Sequence, residues 1–244
     1  MNIKAPTYDF LEKPVMLSRG SATTFVAGAL RRAIVTLELP PGTLIEKSVI
    51  CDRLGLSRFP VSEALGRLQI EGLVDILPQR GTLVSRLRVA DIREYMLIRT
   101  ALECEAVYRL AANYPKGLAT ELRAVVAKQK EAAAQGDQGE YHDLDLEFHE
   151  LLFAALRFGR IKSIIDNARA NVERARHLLN TPRRVQLTIE EHEVILDALE
   201  AGNAEGAASA MRTHIGNVLI DLFEMARNQP DLFADGDEEL GQPV

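Results

Sequence analysis

The segments between residues 21 and 84 follow an order that few folds accommodate. Apolar residues recur at intervals of three and four from Ser21 to about Leu39, which predicts an amphipathic helix ended by a Pro-Pro-Gly sequence. A second helix is predicted over Lys47–Leu54. Gly55 then permits a tight turn, because glycine adopts positive φ without steric cost. This part of the chain therefore predicts two short helices followed by a sharp turn.

A third helix and a β-hairpin complete the segment. Ser57 is predicted to cap this helix with its hydroxyl, Pro60 lies early in it where a missing N–H costs nothing, and Gly72 ends it. Its apolar residues are Val61, Ala64, Leu65, Leu68 and Ile70. Two β-prone runs, LVDIL and TLVSRL, flank PQRG and predict a hairpin. The whole order is that of a winged helix-turn-helix, whose helix after the turn enters the DNA major groove while the wing contacts the backbone or minor groove.

The rest of the chain is predicted to be helical almost to its end. A connector over residues 85–91, in which Asp91 can cap the first helix, leads into six predicted helices, at about residues 91–113, 117–135, 138–157, 161–179, 183–201 and 203–228. Short loops join them, which favours an antiparallel bundle. We therefore predict a mainly α fold, with an N-terminal winged helix-turn-helix and a C-terminal antiparallel helical bundle. The predicted divisions are a flexible arm over 1–20, a DNA-binding domain over 21–86, a helical domain over 89–228 and an acidic, disordered tail over 229–244.

Charge is distributed unevenly along the chain, whose formal net charge is −6. Residues 1–88 hold 12 Lys and Arg against 8 Asp and Glu, whereas residues 89–244 hold 17 against 27. A basic N-terminal part joined to an acidic C-terminal part is consistent with DNA contact by the N-terminal part alone.

The sequence also indicates where the protein works. There is no run of 18 apolar residues to predict a membrane span, and the first 20 residues lack the apolar core of a signal peptide. We therefore expect a cytoplasmic protein with no membrane partner. Cys51 and Cys104 are expected to be core thiols rather than a disulfide.

Both halves of the chain resemble a known family of bacterial regulators. The stretch from Leu30 to Val84 resembles the DNA-binding domain of the GntR family, through LRRAIVTLELPPGTLI, RLGLSR, PVSEALGRLQIEGLV and PQRGTLV. The C-terminal region resembles the FCD ligand-binding domain of the FadR-type branch, through YMLIRTALE, DLEFHELL, EEHEVILDALEAGN and AASAMRTHI. The resemblance implies a transcription repressor rather than an enzyme, which binds operator DNA as a homodimer and is controlled by a small organic or sugar acid.

The resemblance also implies a set of DNA contacts. Arg58 lies at the start of the recognition helix, where an Arg reaches DNA in the family, and an Arg can pair bidentately with guanine or with phosphate. The full set of candidates is Ser57, Arg58, Arg67, Arg80, Gly81 and Arg31. Arg67 could equally be a solvated helix residue, and exposed arginines on helices such as Arg31 are usually just solvated.

Two residues depart from the family pattern. Phe59 stands where the family usually has Thr, and Ser62 stands where it usually has Arg. Replacing Arg by Ser removes a charge that would contact DNA. The departures imply either a shifted operator sequence or weaker DNA binding.

Histidines provide the candidate metal site. Asp145 and His149 lie four residues apart on one face of a predicted helix, while His192 and His214 are flanked by aliphatic residues that should face the bundle core. Three imidazoles and a carboxylate suit a divalent transition metal, although a core histidine can also be a hydrogen-bonded structural residue. The resemblance places these four residues at positions that ligate metal in many FCD domains. Zinc is the first expectation for this ligand set, which nickel, manganese and iron also tolerate.

Arg99 is the candidate effector-binding residue. It lies on an otherwise apolar helix, and a buried Arg needs an anionic partner. That partner is either an internal carboxylate such as Glu103 or, as the resemblance implies, the carboxylate of an effector. Two other classes remain open from the residues alone, a metalloenzyme and a regulator in which the metal only staples the bundle.

Overall fold

The structure, a computed structural model, describes residues 8–12, 21–157, 173–179 and 181–235. Three helices form most of the N-terminal domain: α1 (Ser21–Val35), α2 (Lys47–Leu54) and α3 (Arg58–Ile70). Three short strands complete it: β1 (Leu44–Ile45), β2 (Val74–Leu77) and β3 (Gly81–Val84). They form an antiparallel sheet in the order β1-β3-β2, and the predicted winged helix-turn-helix is confirmed.

Local sequence explains this domain well. Gly55 ends α2 with φ of 65°, which is the left-handed conformation that the predicted turn requires. In the predicted hairpin Val74 pairs with Val84 and Leu77 pairs with Gly81. The strand β1 was not predicted, because two residues are too short to give a periodic signal.

Three details of the N-terminal domain differ from the predictions. Helix α1 ends at Val35 rather than near Leu39. Ser57 occupies the N-cap position of α3 with extended backbone, but its hydroxyl makes no capping hydrogen bond. Ile70, predicted with the apolar face of α3, is 89% exposed because it lies at the last turn beyond the buried Leu68.

Part of the predicted flexible arm is packed against this domain. Tyr8 and Leu11 are buried in its core. The backbone N–H of Glu46 donates to Tyr8 Oη at 2.8 Å, and Arg53 Nε donates to the carbonyl of Leu11 at 3.0 Å. The prediction of a mobile arm therefore fails for residues 8–12, since two large side chains without a helical period give no sequence signal. Residues 1–7 and 13–20 lie outside the described ranges.

The C-terminal domain is helical throughout its described part. Its helices are α4 (Val89–Ala112), α5 (Lys116–Gln135), α6 (Gln138–Ala155), α7 (residues 173–179), α8 (Pro182–Glu200) and α9 (Ala204–Asn228). Helix α4 packs on α9, α5 packs on α6 and α8, and α8 packs on α9. The predicted helical bundle is confirmed, although residues 161–172 of the fourth predicted helix lie outside the described ranges. Within the described ranges, no helix combines the length and apolarity needed to cross a membrane.

The segment after α9 folds back onto the start of α4. Leu87 exchanges backbone hydrogen bonds with this segment, donating to Leu232 at 2.9 Å and accepting from Ala234 at 2.7 Å. Phe233 between them is buried. The carboxylate of Asp235 accepts from the first backbone N–H groups of α4, at 2.8 and 2.9 Å. It therefore caps α4, a role that the sequence had predicted for Asp91.

The predicted disordered tail over 229–244 is consequently too long. Pro230–Leu232 form a single 3-10 turn, and the segment is held as far as Asp235. Residues 236–244 lie outside the described ranges.

Replacing Asp235 with Ala should destabilise the C-terminal domain by about 1 kcal/mol, because two backbone N–H groups at the start of α4 lose their acceptor. The midpoint of thermal unfolding should fall by about 2–4 °C. Asp231→Ala, at an exposed position in the same segment, is the matched control and should change little. Equal midpoints for the two variants would show that Asp235 does not cap α4.

Candidate metal centre and nucleic-acid interface

Three of the four predicted metal ligands meet in the interior of the C-terminal domain. His149 on α6, His192 on α8 and His214 on α9 are all buried. One ring nitrogen from each lies within 4.8 Å of the others, and these three histidines can hold a metal ion. Phe148 stacks on the His192 ring at a centroid distance of 3.9 Å, which fixes that ring in place.

Each imidazole has an oxygen beside its Nδ1 atom. His149 Nδ1 lies 2.7 Å from Glu103 Oε2, His192 Nδ1 lies 3.1 Å from Gln129 Oε1, and His214 Nδ1 lies 2.8 Å from Glu191 Oε2. An acceptor beside Nδ1 favours a proton there and leaves the Nε2 lone pair for a metal, as in most histidine metal sites.

Two features of the histidine triad fit a metal ion in particular. His192 Nε2 is buried without a hydrogen-bond partner in the described part of the chain. Burial also lowers the pKa of His192 well below its usual value and that of His214 to about 4, with repulsion among the rings in the same direction. Both rings are therefore neutral at pH 7, which is the state that binds metal. Imidazole nitrogens are favoured ligands of zinc and its neighbours among the transition metals.

The fourth predicted ligand, Asp145, lies beside the histidine triad rather than within it. It is buried, and its Oδ1 lies 3.7 Å from His192 Nε2 while its Oδ2 contacts Arg176. One carboxylate oxygen thus faces the triad and the other faces a guanidinium. This geometry is compatible with a carboxylate that binds a metal through a single oxygen.

Arg99 makes the internal contact that the sequence had left open. Its Nε donates to Glu103 Oε1 at 2.6 Å, and its Nη2 lies 3.3 Å from His149 Nε2. Burial disfavours the charge, but the Glu103 carboxylate raises the pKa of Arg99 above its usual value. Arg99 is therefore a permanent cation held directly against the triad.

A small cavity beside the triad is lined by three guanidinium groups. Its volume is about 30 Å³, and Arg99, Arg176 and Arg184 face it together with Tyr141, Thr188 and His214. Burial, with Arg99 acting in the same direction, lowers the pKa of Arg176 to about 10, so that this group is still charged at neutral pH. Arg184 is tied to Glu191 at 2.5 Å and to Asp221 at 3.3 Å. The carboxylate of Asp145 also lines the cavity, and each of the three guanidinium groups is paired with a carboxylate. An anionic ligand would have to compete with these carboxylates for the guanidinium groups.

Sequence reasoning missed Arg176 and Arg184. Arg184 precedes Thr188 by four residues and His192 by eight, so the period of α8 would have placed it on the inward face. No comparable signal marked Arg176, whose partner Asp145 lies on another helix.

The predicted DNA contacts fall into two groups. Ser57 and Arg58 lie at the start of α3, and Arg80 and Gly81 lie at the hairpin turn, all exposed. Arg58 and Arg80 make no ion pair with the chain between residues 21 and 157 or with the other described segments. Gly81 has φ of 97°, and a Cβ there would lie 3.0 Å from Leu44 Cδ1, so the wing requires glycine.

The other two predicted DNA contacts are already paired within the domain. Arg31 donates to both carboxylate oxygens of Glu71, at 2.6 and 2.5 Å. Arg67 donates to Glu63 at 2.8 Å. A phosphate would have to compete with these carboxylates, which makes Arg58 and Arg80 the more available cations.

Comparison with known families decides what this architecture is. Residues 22–84 match the model of the bacterial regulatory proteins of the gntR family, and residues 94–217 match the FCD domain. This chain belongs to the GntR family. The FCD domain assigns it to the FadR-type branch, and it is a transcription regulator with a DNA-binding helix-turn-helix, not an enzyme.

Similar proteins extend over most of this GntR-family regulator. An HTH-type transcriptional regulator in an unstable DNA locus of Streptomyces ambofaciens is 32% identical over 84% of this chain and 86% of its own length. The HTH-type transcriptional repressor RspR of Escherichia coli K12 is 28% identical over 84% and 91%. A crystal structure of a GntR regulator from Rhodococcus sp. RHA1 superposes with a TM-score of 0.69, at 28% identity over 84% and 98%.

The site also contains a histidine whose protonation should affect stability. The rings of His177 and His142 lie 4.1 Å apart between centroids and are tilted by 32°, and His142 Nε2 lies 2.6 Å from Glu173 Oε2. Burial, assisted by His142, lowers the pKa of His177 to about 4. The folded state therefore excludes a proton that the unfolded chain binds near pH 6.5.

Stability should consequently fall as the pH drops from about 6.5 towards 4, because the unfolded chain gains the proton first. His177→Phe keeps a ring beside His142 but cannot titrate. Between pH 7.5 and 5 the variant should lose less unfolding free energy than the parent, by on the order of 1 kcal/mol, in urea titrations with a chelator present. Identical losses would mean that His177 is not held neutral by the fold.

Proposed function

We propose that this GntR-family regulator is a repressor whose affinity for operator DNA changes when a small organic or sugar acid binds beside a metal ion. A homodimer would present two α3 helices to successive major grooves of a near-palindromic site. The observation that carries the proposal is the buried histidine triad with an arginine-lined cavity against it. The repressor role is supported by the similarity to RspR.

Four side chains would hold the metal ion. His192 and His214 would bind through Nε2, and Asp145 would bind through the oxygen that faces His192. His149 would also bind through Nε2, which requires Arg99 Nη2, 3.3 Å from that nitrogen, to move aside. Zinc is the first expectation for this ligand set, and nickel, manganese and iron also accept it. When bound, the metal would supply a positive charge with coordination positions left for a carboxylate oxygen of the effector.

The effector's carboxylate would also contact the arginines of the cavity. Guanidinium groups bind carboxylates through two parallel hydrogen bonds, and Arg99, Arg176 and Arg184 all face this space. A cavity of about 30 Å³ has room for little more than water. An acid can therefore enter only if a side chain moves, and Arg176, which contacts Asp145 from α7, is placed to do so.

Helix α7 supports a route from this site to the DNA-binding domain. Two residues before Arg176, the Arg174 guanidinium donates to the backbone carbonyl of Ser85 at the end of the wing. The Ser85 hydroxyl donates in turn to the carbonyl of Gly72, directly after α3, at 2.5 Å. Movement of α7 on effector binding would thus reach the recognition helix. The coupling requires the effector to bind the two arrangements unequally.

Metal analysis tests the centre. Full-length protein loaded with Zn²⁺ should retain about one ion per chain, and the His149→Ala, His192→Ala double variant should retain none.

Gln129→Leu, which removes the oxygen beside His192 Nδ1, should weaken zinc affinity about 10- to 100-fold. Gln186→Leu, at an exposed position of α8, is the matched control.

Equal metal content in parent and double variant would contradict the metal centre. If instead chelation unfolds the C-terminal domain and no acid alters operator affinity, the metal is purely structural and the domain binds no effector.

Arg174→Leu tests the coupling. A panel of small carboxylic and sugar acids is screened by thermal shift on metal-loaded protein, and operator affinity is measured at fixed salt with and without an acid that binds. The parent should show a change of about 5- to 150-fold. In the variant this ratio should approach one while the thermal shift persists, because ligand binding no longer reaches Ser85. Arg183→Leu, an exposed neighbour of Arg184, should keep the parent's ratio; an unchanged ratio in Arg174→Leu would refute the route.

A further inference from the structure

The recognition helix presents an aromatic ring to solvent at the end that enters DNA. Val61, Ala64 and Leu65 are fully buried, which fixes the orientation of α3 on the domain. The opposite side of its first turns therefore faces outward and carries Arg58, Phe59 and Ser62. Phe59 is 76% exposed.

The Phe59 ring does not take part in the hydrophobic packing of the described parts of the chain. Phe59 belongs to neither of the hydrophobic cores formed by the described parts of the chain. The next charged pair along α3, Glu63 with Arg67, is bonded within itself and to α1 through Thr23 and Thr24. Phe59 and Arg58 are thus the large side chains of the first turn of α3 that remain available to a partner.

Position on the helix restricts what that partner surface is. N-terminal residues of a recognition helix contact base edges in the major groove. Almost every group exposed there is a hydrogen-bond donor or acceptor, and the exception is the C5 methyl group of thymine. A phenyl ring has no hydrogen bond to offer, so the methyl group is the feature of the groove that matches it. Ser62, one turn further on, is short and leaves room for the ring to lie against a base.

We infer that Phe59 determines operator specificity by packing against a thymine methyl group next to the base pair or phosphate that Arg58 contacts. The inference rests on DNA binding through α3. It explains how a chain with Phe and Ser at these two positions reads a sequence of its own. An apolar contact between Phe59 and thymine replaces some of the base contacts that a Thr at position 59 and an Arg at position 62 would make.

The test begins with operator selection. Random duplexes are selected in parallel at fixed salt with the full-length parent, Phe59→Ala and Ile70→Ala. Ile70 is the matched control, because it is an even more exposed apolar residue at the opposite end of the same helix. The parent and Ile70→Ala should select the same site, with a fixed thymine in each half-site that Phe59→Ala no longer selects.

Removal of individual methyl groups from the DNA then isolates the contact. Each thymine of the selected site is replaced by deoxyuridine, which removes the methyl group and keeps the base pair. Replacing the fixed thymine of either half-site should weaken binding by the parent about fourfold, the factor for one methyl-sized group buried. Phe59→Ala should bind both duplexes within twofold of each other, and Ile70→Ala should respond as the parent does. Thermal midpoints of all three proteins should agree, since both side chains are exposed.

The outcomes separate this inference from the proposed function. If the parent selects no sequence and binds no DNA, the regulatory role fails as a whole. The role of Phe59 is refuted, while DNA binding stands, if the parent binds a defined site whose affinity no deoxyuridine replacement changes. It is refuted equally if the replacement weakens DNA binding by Phe59→Ala fourfold, as it does for the parent.

Discussion

The buried ion pair between Arg99 and Glu103 is the interaction on which the C-terminal interior depends. Both side chains are almost completely inaccessible, and removing charges from water is costly unless each finds a partner. Arg99 and His149 lower the pKa of Glu103 against the opposing effect of burial, so that the carboxylate stays charged. Because Glu103 bonds Arg99 and also lies against His149 Nδ1, the pair fixes the orientation of the first imidazole.

Glu191 orients the imidazole of His214, as Glu103 orients that of His149. It lies beside His214 Nδ1 and accepts from both Arg184 and Asn217. Burial again opposes its charge, yet these contacts lower its pKa to about 2. Gln129 completes the arrangement beside His192. Every imidazole of the triad is therefore oriented by a residue outside it, and a polar network of this kind is favourable in a low-dielectric interior only when its members are satisfied. His192 Nε2 is buried without a hydrogen-bond partner in the described part of the chain, and a cation bound there would give it one.

The sequence predicted those parts of the molecule that depend on neighbours along the chain. The helices and the hairpin followed from periodicity and from glycine turns such as Gly55, and the inward faces of α6, α8 and α9 brought His149, His192 and His214 within reach of one another. Contacts between distant segments gave no signal. Asp235 caps a helix that begins 146 residues earlier, and Tyr8 is bonded to Glu46 across 38 positions. Arg176 belongs with these, because its place beside Asp145 is set by the packing of α7.

Helix α7 is where the two halves of the molecule constrain each other. Its two arginines lie two residues apart and therefore cannot share a helix face, so Arg174 turns to the carbonyl of Ser85 while Arg176 turns to the carboxylate of Asp145. Arg174 is fully buried and the Arg176 side chain is 14% exposed, so that an unpaired guanidinium would be costly at Arg174 above all. In the proposed function, a ligand that took Arg176 from Asp145 would shift the position at which Arg174 best meets Ser85. Competition between the ligand's carboxylate and that of Asp145 would then be transmitted through α7 as a displacement at the base of the wing.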